Sequence, residues 1–233
     1  MRVMFPDFEE RHSDSPLVER IWRSKNDHAG TFTSISTVCW SMVISKRKGR
    51  MAFSLHGPKT GATYMHCPAE LEWFGIDFKQ GTFMPHIPPG AVMDGNITLP
   101  EAADRTFWLC SSAWQFPNYE NADTFVDRLV REDLLTCDSV VNAINQGQPP
   151  PLSLRMVQYR FLQSTGLSQR AIRQIERARY ATALLKQGVS IFDTVYEAGY
   201  SDQPHLTRSL KHFIGQTPSE IPTTPIIGLH SSG

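Results

Sequence analysis

The stretch from Gly188 to Ile221, GVSIFDTVYEAGYSDQPHLTRSLKHFIGQTPSEI, limits the choice of fold more than any other part of this chain. Ile191, Val195 and Ala198 fall at helical spacing, which predicts a short helix over Ile191 to Ala198. Gly199 then supplies the residue able to take φ > 0 at a tight corner. A second helix is predicted to start near Asp202, whose carboxylate can accept from the amides of the following turn and suits its positive end. In that helix Leu206, Leu210 and Phe213 recur at i, i+4 and i+7 and form one inward stripe. Gln203, Thr207, Arg208 and Lys211 are left outward, side chains of the kind that read major-groove edges or neutralise phosphate.

The run A-G-Y-x-D-Q-x-H-L-x-R-x-L-K-x-x-x-G-x-x-P, filled by Ala198 to Pro218, resembles the second helix-turn-helix of the AraC/XylS family of bacterial transcription regulators. The pattern mixes turn, core and surface positions, which makes it specific. The competing reading is an amphipathic helix pair whose basic face is merely solvated.

Charge is distributed unevenly along the chain. Between Leu152 and Ile221 there are nine basic and five acidic residues, so of 23 of each in the whole chain the remainder holds 14 basic and 18 acidic. The basic excess thus lies where a polyanion would be touched, although it is mild. Cys39, Cys67, Cys110 and Cys137 are scattered with no C-x-x-C pair, which argues for buried thiols in a reducing compartment over a disulfide framework or zinc site. The start, MRVMFPDFEERH, lacks an apolar signal-peptide core, and no segment approaches the roughly 20 apolar residues of a membrane helix. A cytoplasmic location with no membrane partner is expected.

In chain order, residues 1–15 are polar and expected to be loosely held. PLVERIW, Pro16 to Trp22, reads as one or two helical turns with Leu17 and Ile21 inward. Short β-prone runs follow at Thr31 to Ser45, Arg50 to Leu55, Ala62 to Met65 and Leu71 to Phe78, separated by KRKG, HGPKTG and HCPA. Such spacing predicts a small antiparallel sheet or barrel. In the clearest strand, Phe74, Ile76 and Phe78 alternate with Gly75 and Asp77. The Pro- and Gly-dense GTFMPHIPPGAVMDGNITLP reads either as a loop over the sheet's mouth or as a packed connection. Ala102 to Trp114 is expected to be helical. Asn121 to Leu135 is expected to be a helix with Phe125 and Leu129, and with Val126 and Val130 as further candidates, facing inward.

This half resembles the N-terminal cupin-like sensing domain of many AraC-type regulators only in pieces such as Pro16 to Trp22 and Phe74 to Gly81, so the barrel is proposed by analogy. His56, His66 and His86 are isolated, and no H-x-H pair, G-x-S-x-G, P-loop, H-E-x-x-H or Rossmann fingerprint occurs. No catalytic, cofactor or metal site is therefore expected, nor an enzyme. Trp40, Trp73, Trp108 and Trp114 are candidates for core or for a pocket lining.

The helical half opens with Asp138 to Gln146, closed by Gly147, after which Pro149, Pro150 and Pro151 form a stiff spacer. Ser153 can cap a helix over Arg155 to Thr165, with Val157 and Phe161, and Leu162 as a further candidate, on its inner side, and Gly166 ends it. The run L-S-L-R-x-V-Q-x-R-F-x-x-x-x-G resembles the family's first recognition helix, and puts Arg155, Gln158 and Tyr159 at the positions that usually face the groove. Tyr159 stands where arginine is common and lacks the bidentate contact to guanine. The supporting helix that normally comes first is replaced by the prolines, unless Asp138 to Gln146 takes its place. Ser168 to Lys186 forms a spacer of roughly 28 Å at 1.5 Å per residue, close to one turn of B-DNA. Arg170, Arg173 and Arg177 on it are candidate phosphate contacts or a solvated face.

The expected architecture is α+β: an antiparallel β-rich, cupin-like sensing or dimerisation domain over residues 1–120, and an all-α double helix-turn-helix over 121–221 with its core at 152–221. Residues 222–233 are expected to be a disordered tail. The resemblance implies a sequence-specific DNA-binding regulator with double-stranded DNA as partner, contacts to RNA polymerase for an activator, and room for a small-molecule effector and a homodimer. The alternative is a small-molecule binder whose helical half is a protein-interaction module without DNA affinity.

Overall fold

The computed structural model describes residues 7–221 apart from 104 and 149. The expected loose residues 1–6, the tail at 222–233 and Pro149 of the spacer lie outside that set. In chain order the elements are β1 (Asp7–Arg11), β2 (Val18–Asn26), β3 (Gly30–Ser34), β4 (Ser41–Arg47), β5 (Arg50–His56), β6 (Thr63–Cys67), β7 (Leu71–Phe78), β8 (Thr82–Phe83), β9 (Asn96–Thr98), β10 (Thr106–Leu109), β11 (Ser112–Gln115), α1 (Ala122–Arg131), β12 (Thr136–Cys137), α2 (Ser139–Asn145), α3 (Leu154–Thr165), α4 (Gln169–Lys186), α5 (Ile191–Glu197) and α6 (Gln203–Phe213). A β-rich region is thus followed by a helical one, the α+β order expected.

Antiparallel pairing orders the main sheet β1-β2-β7-β4-β5-β9, open at β1 and β9. Its registers place Ile21, Ile76 and Met42 opposite one another, and Phe74, Ile44 and Phe53 likewise, so one face is continuously apolar. Against that face pack Phe107 and Trp114 from the β10–β11 hairpin and Ala122, Phe125, Val126 and Leu129 from α1. Phe53 stacks on Phe107 with ring centroids 4.3 Å apart, and Trp114 meets Phe125 edge-on at 5.8 Å. Each such pair adds about 0.5–1.5 kcal/mol beyond area burial. On the opposite face Trp22 lies so close to Gly75 that a Cβ there would fall 2.2 Å from the indole, which is why a small residue interrupts the β7 pattern.

Three expectations for this half are corrected. Within residues 16–22, the chain from Val18 onward belongs to β2 and forms no helical turns. A register shift between Val18 and Arg20 puts the buried Val18 and Ile21 three apart, so a bulged strand imitates helical spacing. Residues 102–114 hold a hairpin instead of a helix, because Cys110 and Ser111 take φ of 47° and 64° and turn the chain between Leu109 and Ser112. Residues 1–15 are tied down from Asp7 onward by pairing of β1 with β2. The Pro-rich stretch is a packed connection: Met84 and Val92 within it are buried in the sheet's core.

The boundary expected at residue 120 separates α1 from the sheet whose core it fills, so the packing groups α1 with the β-rich half. The helical half is built around two further cores, one entered by Ile35 and the other by Val38 from the β-rich half. Val141 of α2, Val157 and Phe161 of α3, and Ile172 and Ile175 of α4 make one. Ala181, Leu184 and Leu185 of α4 with Ala198, Leu206 and Leu210 make the other. Val130 and Leu162, expected inward, are 40% and 46% exposed, because the inward faces of α1 and α3 are already filled by Phe125, Leu129, Val157 and Phe161.

Candidate nucleic-acid interface

The second helical pair is fixed by caps that the sequence supplies in place. Ser190 caps α5 by accepting from the Asp193 amide at 3.1 Å. Gly199 makes the corner at φ 68°, where nothing lies within 4 Å of an added Cβ, so backbone conformation alone calls for glycine. Asp202, in extended conformation, caps α6 by accepting from the His205 amide at 2.7 Å. The Tyr200 hydroxyl bonds Ser209 Oγ at 2.9 Å, and its ring meets His205 edge-on, tying the turn to the helix it precedes.

On α6, Leu206 and Leu210 are fully buried and Phe213 is half-buried, while Gln203, Arg208 and Lys211 are exposed. At 100° per residue, Gln203, Thr207, Lys211 and Arg208 span a wedge of about 140° that starts on the flank beside Leu210 and ends with Arg208 nearly opposite it. Among the described residues no ion pair or hydrogen bond engages the side chains of Gln203, Arg208 or Lys211, so all three are available to a ligand. Thr207 is half-buried and its hydroxyl donates to the Gln203 carbonyl at 2.9 Å.

The first pair is α2 with α3. Asp138 caps α2, accepting from the amides of Val140 at 2.9 Å and Val141 at 3.1 Å through one carboxylate oxygen. Its other oxygen holds Arg160 Nε of α3 at 2.6 Å. Val141 enters the same core as Val157 and Phe161, so α2 takes the place of the supporting helix that the prolines were expected to displace. Ser153 caps α3 and Gly166, at φ 74°, ends it. Arg155, Gln158 and Tyr159 are exposed as expected. They share that surface with Leu154, Met156 and Leu162, which are 80%, 46% and 46% exposed, so the first face is far more apolar than the second.

Helix α4 has 18 residues, about 27 Å at 1.5 Å each, and carries both cores. Arg170 and Arg173 are exposed on it. Arg177 is not a free phosphate contact: its guanidinium lies 4.4 Å from the Tyr200 ring centre and donates to the Gly199 carbonyl at 3.3 Å, pinning the second turn against α4. Burial pushes the Glu176 carboxyl above its ordinary range, opposed by Arg179 and Arg173.

Elsewhere, a cleft of about 440 Å³ opens at the far end of the sheet's core face, floored by Ile44, Met51 and Phe74 and rimmed by Arg23, Lys46 and Tyr119. Its rim cations are matched, Arg23 by Glu9 at 2.6 Å and Lys46 by Glu72 at 3.0 Å. Among the described residues no three His, Cys, Asp or Glu side chains gather as a metal site, and no helix is long and apolar enough to cross a membrane. Sequence reasoning missed residues 33–39 and 59–64, which touch the helical half. No periodicity marks them, since their partners lie over 100 residues away.

Residues 151–222 match the family model of a helix-turn-helix domain, of the AraC type, over just under a third of the chain. No curated protein sequence matches the chain. A solved structure of ToxT from Vibrio cholerae is similar at 12% identity, over 93% of this chain and 99% of that one, with a TM-score of 0.34. So distant a likeness leaves the assignment resting on residues 151–222.

Proposed function

We infer, from the premise that residues 151–222 form a helix-turn-helix domain of the AraC type, that this chain is a DNA-binding transcription regulator whose α3 and α6 enter adjacent major-groove segments. The observation that carries the reading is the outward wedge of α6, where Gln203, Arg208 and Lys211 stand exposed on a capped helix with no partner of their own among the described residues. Gln203 has the amide that pairs with adenine N6 and N7, and Arg208 the fork that pairs with guanine O6 and N7. Lys211 suits phosphate, and the Thr207 methyl suits a thymine methyl. On α3, Arg155 and Gln158 are the polar contacts and Tyr159 reaches phosphate or sugar. The apolar surroundings there make the first head chiefly an anchor, so sequence preference comes mainly from α6.

A small-molecule effector belongs to the same reading, with the cleft at the end of the sheet as its place. So do contacts to RNA polymerase and a homodimer, both from the family resemblance. Phe192 and Tyr196 on α5, 84% and 85% exposed, favour a second reading in which the helical half binds protein and not DNA.

One experiment separates the two. The full chain is mixed with a random duplex pool, retained duplexes are identified, and one is titrated by fluorescence anisotropy between 50 and 200 mM salt. Four phosphate contacts give a slope of log K against log salt near about −4, or roughly a hundredfold weakening across that range. Absence of any retained duplex at low salt contradicts the regulator and leaves the interaction module.

A further inference from the structure

Residues 35–39 leave β3 and cross the helical half before β4 begins. Ile35, 2% exposed, is buried in the core formed by α4, α5 and α6. Val38, 6% exposed, is buried in the core formed by α2, α3 and α4. Three residues span at most about 10 Å, close to the width of one helix. A single strap from the β-rich half therefore places one side chain in the core of each head.

Backbone hydrogen bonds fasten it. The Ser36 amide donates to the Phe213 carbonyl at 2.9 Å, and the Ala62 amide donates to the His212 carbonyl at 2.8 Å. The Tyr64 hydroxyl donates to the Gly215 carbonyl at 3.2 Å. Thr37 and Lys59 exchange amide bonds at 3.1 and 2.9 Å, which joins the strap to the 59–64 segment. The last carbonyls of an α-helix have no partner within it, so the β-rich half supplies the donors that finish α6. Gly215 sits so close to this clamp that an added Cβ would lie 2.7 Å from Thr33 Cγ2. The outward wedge of α6 stays open while its C-terminal end is held.

We propose that residues 35–39, with Ala62 and Tyr64, are positioning residues that set the placement of α6 relative to α3, and so fix the spacing between the two DNA segments the chain reads. The proposal rests on the regulator reading. Without the clamp, only α4 and its two cores would hold the heads in register. With it, each head is also tied to the sheet.

The test uses the full chain and the duplex it selects from the random pool, with derivatives carrying one or two base pairs inserted between the two contacted segments, and a duplex carrying only the α6 segment. One inserted pair turns the second segment by about 34°. The native chain is expected to lose at least tenfold in affinity on one insertion. Ile35→Ala is expected to shrink that penalty threefold or more, and Tyr64→Phe in the same direction by less, while both leave affinity for the single segment within twofold. A merely structural loss lowers the active fraction and weakens every duplex alike. Tyr64 is 75% exposed, so its variant keeps the fold if Ile35→Ala does not. An unchanged insertion penalty in the folded variants, or equal weakening on all duplexes, overturns the clamp while leaving the regulator intact. Failure to retain any duplex overturns the regulator reading, and the positioning role with it.

Discussion

Asp138 shows how much one side chain organises. Its side chain is 4% exposed, its oxygens cap α2 and hold Arg160, and all three bonds serve the packing of α2 with α3. Asp138→Ala removes a cap and leaves the Arg160 guanidinium without its partner, so urea unfolding is expected to show a loss of about 2 kcal/mol. The start of this helix at Asp138 was legible in the sequence while its cap went unnamed, although an Asp before a helical run is a local signal. The ion pair was not legible, since its partner lies 22 residues on, on another helix. Arg177 teaches the same lesson with the opposite outcome: as a basic residue on a spacer it invites a phosphate, yet Tyr200 and the Gly199 carbonyl occupy it. His56 offers a pH test. Burial pushes its pKa below the ordinary 6.5, with Lys59 acting in the same direction and Asp77 against. The folded chain therefore resists protonation, and this contribution to stability is full above about 6.5 and is lost as pH falls from there through the folded value. Between pH 7.5 and 5.5 the urea midpoint is expected to fall more steeply in the native chain than in His56→Gln; equal slopes would exclude the effect.

Elements with a local signal were legible. The helices α3 to α6 were read from Ser153 and Asp202 as caps, from Gly166 and Gly199 as stops or corners and from apolar spacing, and the structure adds Ser168 and Ser190 as caps of α4 and α5. Asp202→Ala is accordingly expected to cost about 1 kcal/mol in chemical denaturation, through α6 alone. Residues 16–22 and 102–114 were misread as helical, because a bulge altered the spacing of Val18 and Ile21 and because a turn built on positive φ at Cys110 and Ser111 carries no glycine to announce it. Gly166 was read only as a helix stop. An added Cβ there would also lie 2.3 Å from Met93 Cε and 3.0 Å from Pro89 Cβ, so the residue serves helix end and domain contact together. Gly166→Ala is expected to lower the unfolding free energy in urea by more than about 1 kcal/mol, the combined result of strain at φ 74° and displacement of that contact.

Across the whole molecule, a helix-turn-helix domain is joined to the β-rich half by buried contacts as well as by its linker. The outward wedge of α6 faces solvent, and the β-rich half grips the C-terminal end of that helix. Neither the strap at residues 35–39 nor its partners could be found from patterning, because contacts between segments so far apart in sequence leave no period in either. The measurement that bears most directly on the central claim is a base-by-base affinity profile of the selected duplex for the native chain and for Arg208→Ala. If α6 reads the groove, the variant is expected to lose about 1–3 kcal/mol of discrimination at one base position and to keep its preferences elsewhere. A profile unchanged at every position would contradict the assignment of α6 as the reading helix.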